Sequence, residues 1–99
     1  MIRHIVLWKL KNSENPEIKA LNAKKLKDEL YALKKEIVQI KRLETGDNLN
    51  PENEYDMALT IDFDNFEDLM TYQNHPAHKK VVAFLKTARD LKASIDYEI

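Results

Sequence analysis

Histidines near a tyrosine are the residues of this chain whose types and spacing point most directly to chemistry. Histidine titrates near neutral pH, so its imidazole serves as a general acid, a general base or a metal ligand. Two of the three histidines, His75 and His78, lie in the segment HPAH, with Tyr72 just before it. The third, His4, lies in an apolar run at the start of the chain. These residues predict acid–base chemistry if the fold brings them together.

The HPAH segment predicts different roles for its two histidines. Pro76 suits the first position of a helix, so His75 occupies the capping position and His78 the third helical position. The positive end of a helix disfavours an imidazolium, which leaves His78 as a neutral ring that can accept or relay a proton. The structural alternative is a capped bend in which neither ring does chemistry. A metal site is not predicted, because His75 lies outside the helix and a third ligand is not evident.

His4 and Tyr72 each have a structural interpretation beside the functional one. His4 shares the even positions of its strand with Val6 and Trp8, the face that we assign to the helices, where it could be a core histidine bonded to a backbone carbonyl or to Tyr72. An aromatic residue at the spacing of Tyr72 is more often part of a core than of a cofactor site. A buried tyrosine hydroxyl still needs a partner, so we expect a Tyr–His pair across the Pro76 bend. The functional prediction joins His4, Tyr72 and His78 in one site.

The elements that must position these residues follow from the apolar periodicity. We predict a strand at 2–10, a helix from Pro16 capped by Asn15, and a strand at about 37–44. An exposed loop at 45–54 and a strand at 55–63 follow. A helix capped by Asp64 or Asn65 breaks at Pro76 and resumes, and a last strand starts at Ala93. The order predicts a single α+β domain over residues 1–99, a ferredoxin-like βαββαβ fold with a four-stranded antiparallel sheet and helices on one face.

The first helix and the first strand predict what each face of this fold contacts. One apolar stripe of the helix should face the core, formed by Ile18, Leu21, Leu26, Leu30, Leu33 and Ile37. The first strand also carries Ile5 and Leu7 on the face opposite to the helices. A second copy of the chain is the simplest cover for that face, so we predict a homodimer.

Composition excludes several classes of function. The 16 basic and 17 acidic residues give a net charge of −1, too acidic for a sequence-independent nucleic-acid binder. An RNA-binding domain of the same element order is disfavoured as well, because the open side of the third strand would carry Asp56, Ala58, Thr60 and Asp62. The absence of cysteine excludes disulfides and thiolate sites. With no apolar run long enough for a bilayer and a polar start, the chain is predicted to be cytoplasmic and not membrane-bound.

Two stretches of the chain, MIRHIVLWKLK and YDMALTIDFDNFEDLMTYQNHPAH, resemble the stress-responsive α/β-barrel family, also called Dabb proteins. The resemblance implies a dimer whose two sheets form a barrel, with a pocket between sheet and helices in each subunit. One plant member is a polyketide (olivetolic acid) cyclase, which closes a poly-β-keto thioester by aldol condensation without a metal. Its pocket histidine is similar to His4, and its catalytic tyrosine and histidine are similar to Tyr72 and His78. Met57 stands where that cyclase has a histidine, so the substrate does not carry over.

These observations leave two functions open. The first is a cofactor-independent cyclase-like or isomerase-like enzyme acting on a small apolar carbonyl compound. His78 would be its general base, Tyr72 would orient that base or bond the enolate, and His4 would assist as an acid or electrostatic partner. The second is a non-catalytic, stress-associated module that binds a small ligand in the same pocket. In either case the predicted ligand-binding residues are Trp8, Met57, Leu59 and Val82.

Overall fold

The order of helices and strands follows the predicted βαββαβ pattern, with the second helix broken in two. The computed structural model describes residues 1–11 and 14–99. The elements are β1 (Ile2–Leu10), α1 (Pro16–Glu36), β2 (Arg42–Asp47), β3 (Met57–Phe63), α2 (Phe66–Asn74), α3 (Pro76–Ala88) and β4 (Arg89–Glu98). The strands form one antiparallel sheet in the order β2-β3-β1-β4. The predicted ferredoxin-like α+β fold is therefore confirmed.

The central strand β1 faces the helices with its even-numbered side chains. His4, Val6, Trp8 and Leu10 are buried, whereas the odd-numbered residues between them are half-buried. This alternation is the period of two that a strand imposes. In the antiparallel register His4 lies opposite Ile61 of β3 and also opposite a residue of β4. A side chain at position 4 is thus held in the middle of the sheet and points toward the helices.

Side-chain caps fix where the helices begin. The Asn15 side chain accepts a hydrogen bond from the Ile18 amide at 3.4 Å, as predicted for α1. Of the two candidates for α2, Asn65 is the cap, and its side chain accepts from the Asp68 amide at 2.8 Å. Each cap supplies an acceptor for an amide that has no partner within its helix.

The predicted boundary between α1 and β2 was wrong. The Ile37 amide donates to the Leu33 carbonyl at 2.8 Å, and the Ile40 amide donates to the Ile37 carbonyl at 3.2 Å. The segment that we expected to open a strand at 37 is therefore a turn. Both isoleucines are nevertheless buried, so their apolar side chains anchor this turn in the core. The strand occupies Arg42–Asp47 instead and takes in the first residues of the predicted loop at 45–54.

Two other strands begin at positions different from those predicted. β3 starts at Met57 instead of residue 55, and β4 starts at Arg89 instead of Ala93. The helix α3 passes into β4 with no intervening loop residue, and a register shift next to Leu10 allows Arg89 to pair with β1. A connection this short leaves no turn signal in the sequence.

The apolar stripe of α1 covers less of the core than predicted. Leu26, Leu30 and Leu33 are buried, but Ile18 and Leu21 are 43% and 68% exposed. The first turns of α1 border a groove with Leu10 and Met57 at the end of the sheet, so the buried part of the stripe begins at Leu26.

The side of the sheet opposite to the helices carries apolar side chains. Ile5 and Leu7 lie there and are half-buried, and Ile95 and Tyr97 of β4 lie beside them with exposures of 60% and 40%. We call this side the open sheet face. Within residues 1–11 and 14–99, none of the helices combines the length and the apolar character that crossing a bilayer requires.

Candidate active site

A small cavity lies between the sheet and the helices, where β1, β3 and β4 meet all three helices. Its volume is about 70 Å³. The cavity brings together the three predicted catalytic residues and three of the four predicted ligand-binding residues: His4, Tyr72, His78, Trp8, Leu59 and Val82. The sequence prediction that these side chains share one site therefore has a geometric counterpart.

The break between α2 and α3 aims two of these side chains at the same space. Tyr72 lies in the last turn of α2 and His78 in the first turn of α3. His75 joins the two helices with an extended backbone, and its Nδ1 accepts a hydrogen bond from the Ala77 amide at 3.0 Å. His75 is thus the helix cap, as predicted, and it turns α3 so that His78 lies over the sheet.

His78 is held through one ring nitrogen, and within residues 1–11 and 14–99 no hydrogen bond involves the other. Its Nδ1 lies 3.1 Å from the Gln73 carbonyl oxygen, which can only accept a hydrogen bond, so Nδ1 carries the proton. The neutral ring then presents the lone pair of Nε2. Burial lowers the pKa of His78, with smaller contributions from His4 and Lys92, while the Gln73 carbonyl opposes the shift. The neutral imidazole is therefore favoured at pH 7.

His4 is buried and is oriented by a carboxylate that the sequence analysis did not identify. The Nδ1 atom of His4 donates to a carboxylate oxygen of Asp96, directly opposite in β4. The expected partners, a backbone carbonyl or Tyr72, were wrong. Because Nδ1 is bonded to the carboxylate, the Nε2 of a neutral His4 ring is the acceptor. Asp96 is about one-third exposed, so it connects a buried imidazole to the edge of the sheet.

Tyr72 contacts both imidazoles through its ring. Its centroid lies 4.4 Å from that of His78 and 6.1 Å from that of His4, and it also packs on Phe63 at 5.3 Å. Among the hydrogen bonds of the described residues, none involves the Tyr72 hydroxyl, so the expected Tyr–His hydrogen bond was wrong. Burial raises the pKa of Tyr72 far above its usual value. The residue is therefore a neutral phenol whose ring packs near both imidazoles.

Met57 does not line this cavity. In the register of β1 and β3, Met57 lies opposite Trp8, whereas Leu59 lies opposite Val6 and is two residues nearer to His4. Met57 is buried and borders two grooves at the other end of the strand, toward Asp47 and Asn48. Its position in the strand thus separates it from the histidines.

The cavity also contains polar residues that the sequence analysis missed. Lys92 and Ser94 of β4 and Gln73 of α2 line it. The signal for the first two is in the sequence, because from residue 90 to residue 98 the even positions are polar and the odd positions are apolar. What the sequence lacks is the register that places these positions beside His4. In the described part of the chain, no three histidine or carboxylate side chains come together as ligands for a metal ion.

Comparison with known proteins gives a consistent result over the whole domain. The family model described as Stress responsive A/B Barrel Domain matches residues 2–99. A dimeric protein of unknown function with a ferredoxin-like fold from Bacteroides fragilis shares 34% identity at a TM-score of 0.91, covering 99% of this chain and 95% of its own. A search among curated proteins finds no match.

Two more distant structures share the fold. A Dabb family protein from Mesorhizobium loti is 22% identical at a TM-score of 0.77, covering 99% of this chain and 95% of its own. The hydroxynitrile lyase from Passiflora edulis is 16% identical at a TM-score of 0.85, with coverages of 99% and 92%. At these identities the likeness shows the fold alone.

Proposed function

We propose that this chain, which belongs to the Stress responsive A/B Barrel Domain family, is a small enzyme that removes a proton from the carbon next to a carbonyl group. The observation that carries the proposal is the state of His78. Its Nδ1 is bonded to the Gln73 carbonyl, its Nε2 makes no hydrogen bond to any described residue, and burial lowers its pKa. A neutral imidazole with one free nitrogen beside a cavity is the arrangement that a general base requires.

The reaction begins with one proton transfer. The Nε2 lone pair of His78 takes a proton from the α-carbon, and the electron pair of that C–H bond moves to give an enolate. His78 becomes an imidazolium. Where a C=C bond of the substrate is conjugated with the enolate, return of the proton from His78 to the γ-carbon gives an isomer. Alternatively, the enolate carbon attacks a second carbonyl of the same molecule, and the alkoxide takes the proton from His78, which completes a cyclisation.

Tyr72 and His4 act on the charges that this proton transfer creates. The Tyr72 ring lies against the ring of His78, so it fixes the plane of the base, and its unpaired phenol is available to donate to an enolate oxygen. The Asp96 carboxylate accepts a hydrogen bond from Nδ1 of His4 and so fixes the orientation of that ring. We assign His4, which Tyr72 also contacts, the role of acid or electrostatic partner to the base.

The size of the cavity sets a limit on the substrate. A volume of about 70 Å³ corresponds to roughly two water molecules in the liquid, whereas pockets for drug-sized ligands measure roughly 300–1,000 Å³. Lys92 and Ser94 at the border of the cavity are exposed. The reacting carbonyl group fits inside, and the remainder of the substrate extends past β4 toward solvent.

Solvent-exchange measurements test the proposal directly. Small ketones such as acetone, cyclohexanone and acetylacetone are incubated with the protein in deuterated water, and loss of the α-proton signal is followed by NMR. We expect the protein to accelerate exchange and His78→Asn to abolish that acceleration. His75→Asn is the matched control, because asparagine is also a good helix cap and His75 lies outside the cavity lining.

The two variants also define the outcome that would overturn the proposal. Exchange that proceeds equally well in His78→Asn, or that is lost in His75→Asn alone, would show that His78 is not the base. Circular dichroism of both variants establishes that each one is folded, so that lost exchange is assigned to lost chemistry.

Non-catalytic binding is the second candidate, and the apolar lining of the cavity favours it. Val6, Leu30, Leu59 and Leu85 supply aliphatic walls beside the histidines, which would retain an apolar ligand without reacting with it. Binding of ketones without proton exchange would support this function over the first. The structural neighbours include a hydroxynitrile lyase and an antibiotic biosynthesis monooxygenase, so catalysis occurs on this fold, although the likeness concerns the fold alone. A polyketide-cyclase-like activity, a role in stress and a cytoplasmic location stay predictions.

The proposed enzyme is a homodimer that forms through the open sheet face. Ile5, Leu7, Ile95 and Tyr97 place apolar surface on this side of β1 and β4, and an apolar patch of this kind marks an interface. The Bacteroides fragilis relative is described as dimeric, which supports the same assembly here. Burial of this face leaves the cavity, on the other side of the sheet, free to bind a ligand.

A further inference from the structure

Trp8 lines the cavity and carries a hydrogen-bond donor that is buried without an acceptor among the described residues. The side chain is 3% exposed, and among residues 1–11 and 14–99 its indole Nε1 is buried without a partner. Tryptophan offers only this one donor and no acceptor. A buried donor without a partner costs about 1–3 kcal/mol, and buried indoles usually find one. A space beside the cavity that keeps such a donor is suited to an acceptor atom from a ligand.

A positive charge lies beside this donor. Lys92 is directly opposite Trp8 in the pairing of β1 with β4, and both are at even positions, whose side chains lie on the helix side of the sheet. Both residues line the cavity. Among the described residues, Lys92 forms no ion pair with a carboxylate. A residue with an unpaired N–H donor and a residue with an ammonium group are therefore cross-strand neighbours that both line the cavity.

We propose that Trp8 and Lys92 form an oxyanion-binding end of the site, which selects ligands that carry or develop a negatively charged oxygen. The indole N–H donates to this oxygen, and Lys92 neutralises its charge. The inference rests on the proposed function, since the enolate that His78 generates is such an oxyanion. It narrows the substrate class from carbonyl compounds in general to those whose enolate or carboxylate oxygen reaches Trp8 when the α-carbon reaches His78.

The charge pattern of the cavity supports this assignment. Lys92 is one of the groups that lower the pKa of His78, so its ammonium acts on the same cavity as the base. A cation that keeps the base neutral also stabilises the anion that the base produces. The carboxylate of Asp96 is bonded to His4, and His4 lies four residues before Trp8 in β1. The two ends of the cavity thus differ in the charge that they favour.

The single tryptophan of the chain makes the test direct. In protein labelled with ¹⁵N, the indole N–H gives one NMR signal, and hydrogen bonding to an oxygen moves its proton downfield. The probe is cyclohexane-1,3-dione, which ionises to a stable enolate near neutral pH, and cyclohexanone is the neutral control. We expect the dione to move the indole signal and the methyl signals of Val6 and Leu59 together, with a smaller indole shift for cyclohexanone.

Two variants separate the donor from the charge. Trp8→Phe keeps an aromatic ring without the N–H and should weaken dione binding about tenfold, the loss of one hydrogen bond to a charged acceptor. Lys92→Gln should weaken dione binding about two- to fivefold, as expected for an exposed cation, and leave cyclohexanone binding unchanged. The indole shift in the native chain stands as the test if Trp8→Phe does not fold.

The outcomes distinguish this inference from the proposed function. An indole shift with the dione, together with no α-proton exchange on any ketone, supports the oxyanion site and refutes the enzyme. Exchange that depends on His78 while the indole signal stays fixed refutes the oxyanion site alone. Methyl shifts without an indole shift, equal indole shifts with the two probes, or no binding of the dione at millimolar concentration would each overturn the inference.

Discussion

Removing the hydroxyl from the most deeply buried tyrosine should cost this fold less than removing it from an exposed one. Tyr72 is 1% exposed, and its hydroxyl makes no hydrogen bond within the described residues. Its ring contacts to His78 and Phe63 are retained in Tyr72→Phe. Because a hydroxyl that has no partner within the fold contributes no hydrogen bond to it, we expect the free energy of unfolding to change by less than about 0.5 kcal/mol, or to increase.

Tyr31 provides the matched comparison. Its side chain is 45% exposed, but its hydroxyl lies 3.2 Å from the Thr45 hydroxyl and accepts a hydrogen bond from the Thr45 amide at 3.2 Å. These bonds join α1 to β2. Tyr31→Phe removes both, so we expect a loss of about 0.5–1.5 kcal/mol, the usual net contribution of a hydrogen bond.

Urea unfolding monitored by circular dichroism measures both variants. The protein concentration is held constant because the stability of a dimer depends on it, and equal slopes establish that the unfolded states are comparable. A loss above about 1.5 kcal/mol for Tyr72→Phe would show that its hydroxyl has a partner, such as an ordered water. A neutral Tyr31→Phe would show that the Thr45 contacts contribute nothing. Either result would refute the reasoning.

Two further outcomes follow from charge and from the open sheet face. The folded state holds the pKa of His78 below its usual 6.5. As the pH decreases through 6.5, the unfolded chain therefore binds this proton before the folded chain does, and the free energy of unfolding falls. Urea midpoints at pH 7.5 and 5.5 should show this fall, and His78→Asn should reduce it. An undiminished fall in that variant would contradict the assignment. Ile95→Lys should convert the proposed dimer to a monomer in sedimentation at micromolar concentration. Ile95 is exposed in the single chain, and a lysine there would place a charge in the buried dimer interface. A stable dimer of this variant would exclude this face as the interface.

The sequence predicted the parts of the fold that depend on local patterns. The alternation of β1 assigned His4 to the helix side, and Pro76 located the bend between α2 and α3. Each of these depends on neighbouring residues alone. The prediction of a strand at 37–40 was wrong because buried isoleucines occur in a turn as well as in a strand, and hydrophobicity does not distinguish the two.

The parts of the site that depend on long-range register could not be predicted. Asp96 orients His4 only because β4 pairs with β1 in a register that places the two residues opposite each other. A shift of this register by one residue would turn every side chain of β4 to the other face. The roles of Lys92 and Asp96 therefore emerge from strand pairing, and the local sequence marks them only as polar positions in an alternating strand.

The bond between His4 and Asp96 joins residues 92 positions apart, which links the candidate site to the course of folding. Contacts of such high separation close a large loop, whose entropy must be offset before they contribute, and they slow folding. On the ribosome, β1 is synthesised long before β4, so the His4 imidazole has no carboxylate partner until β4 has been synthesised. Protection of β1 amides on the side that pairs with β4 should therefore appear late in hydrogen exchange, at the same time as the site itself.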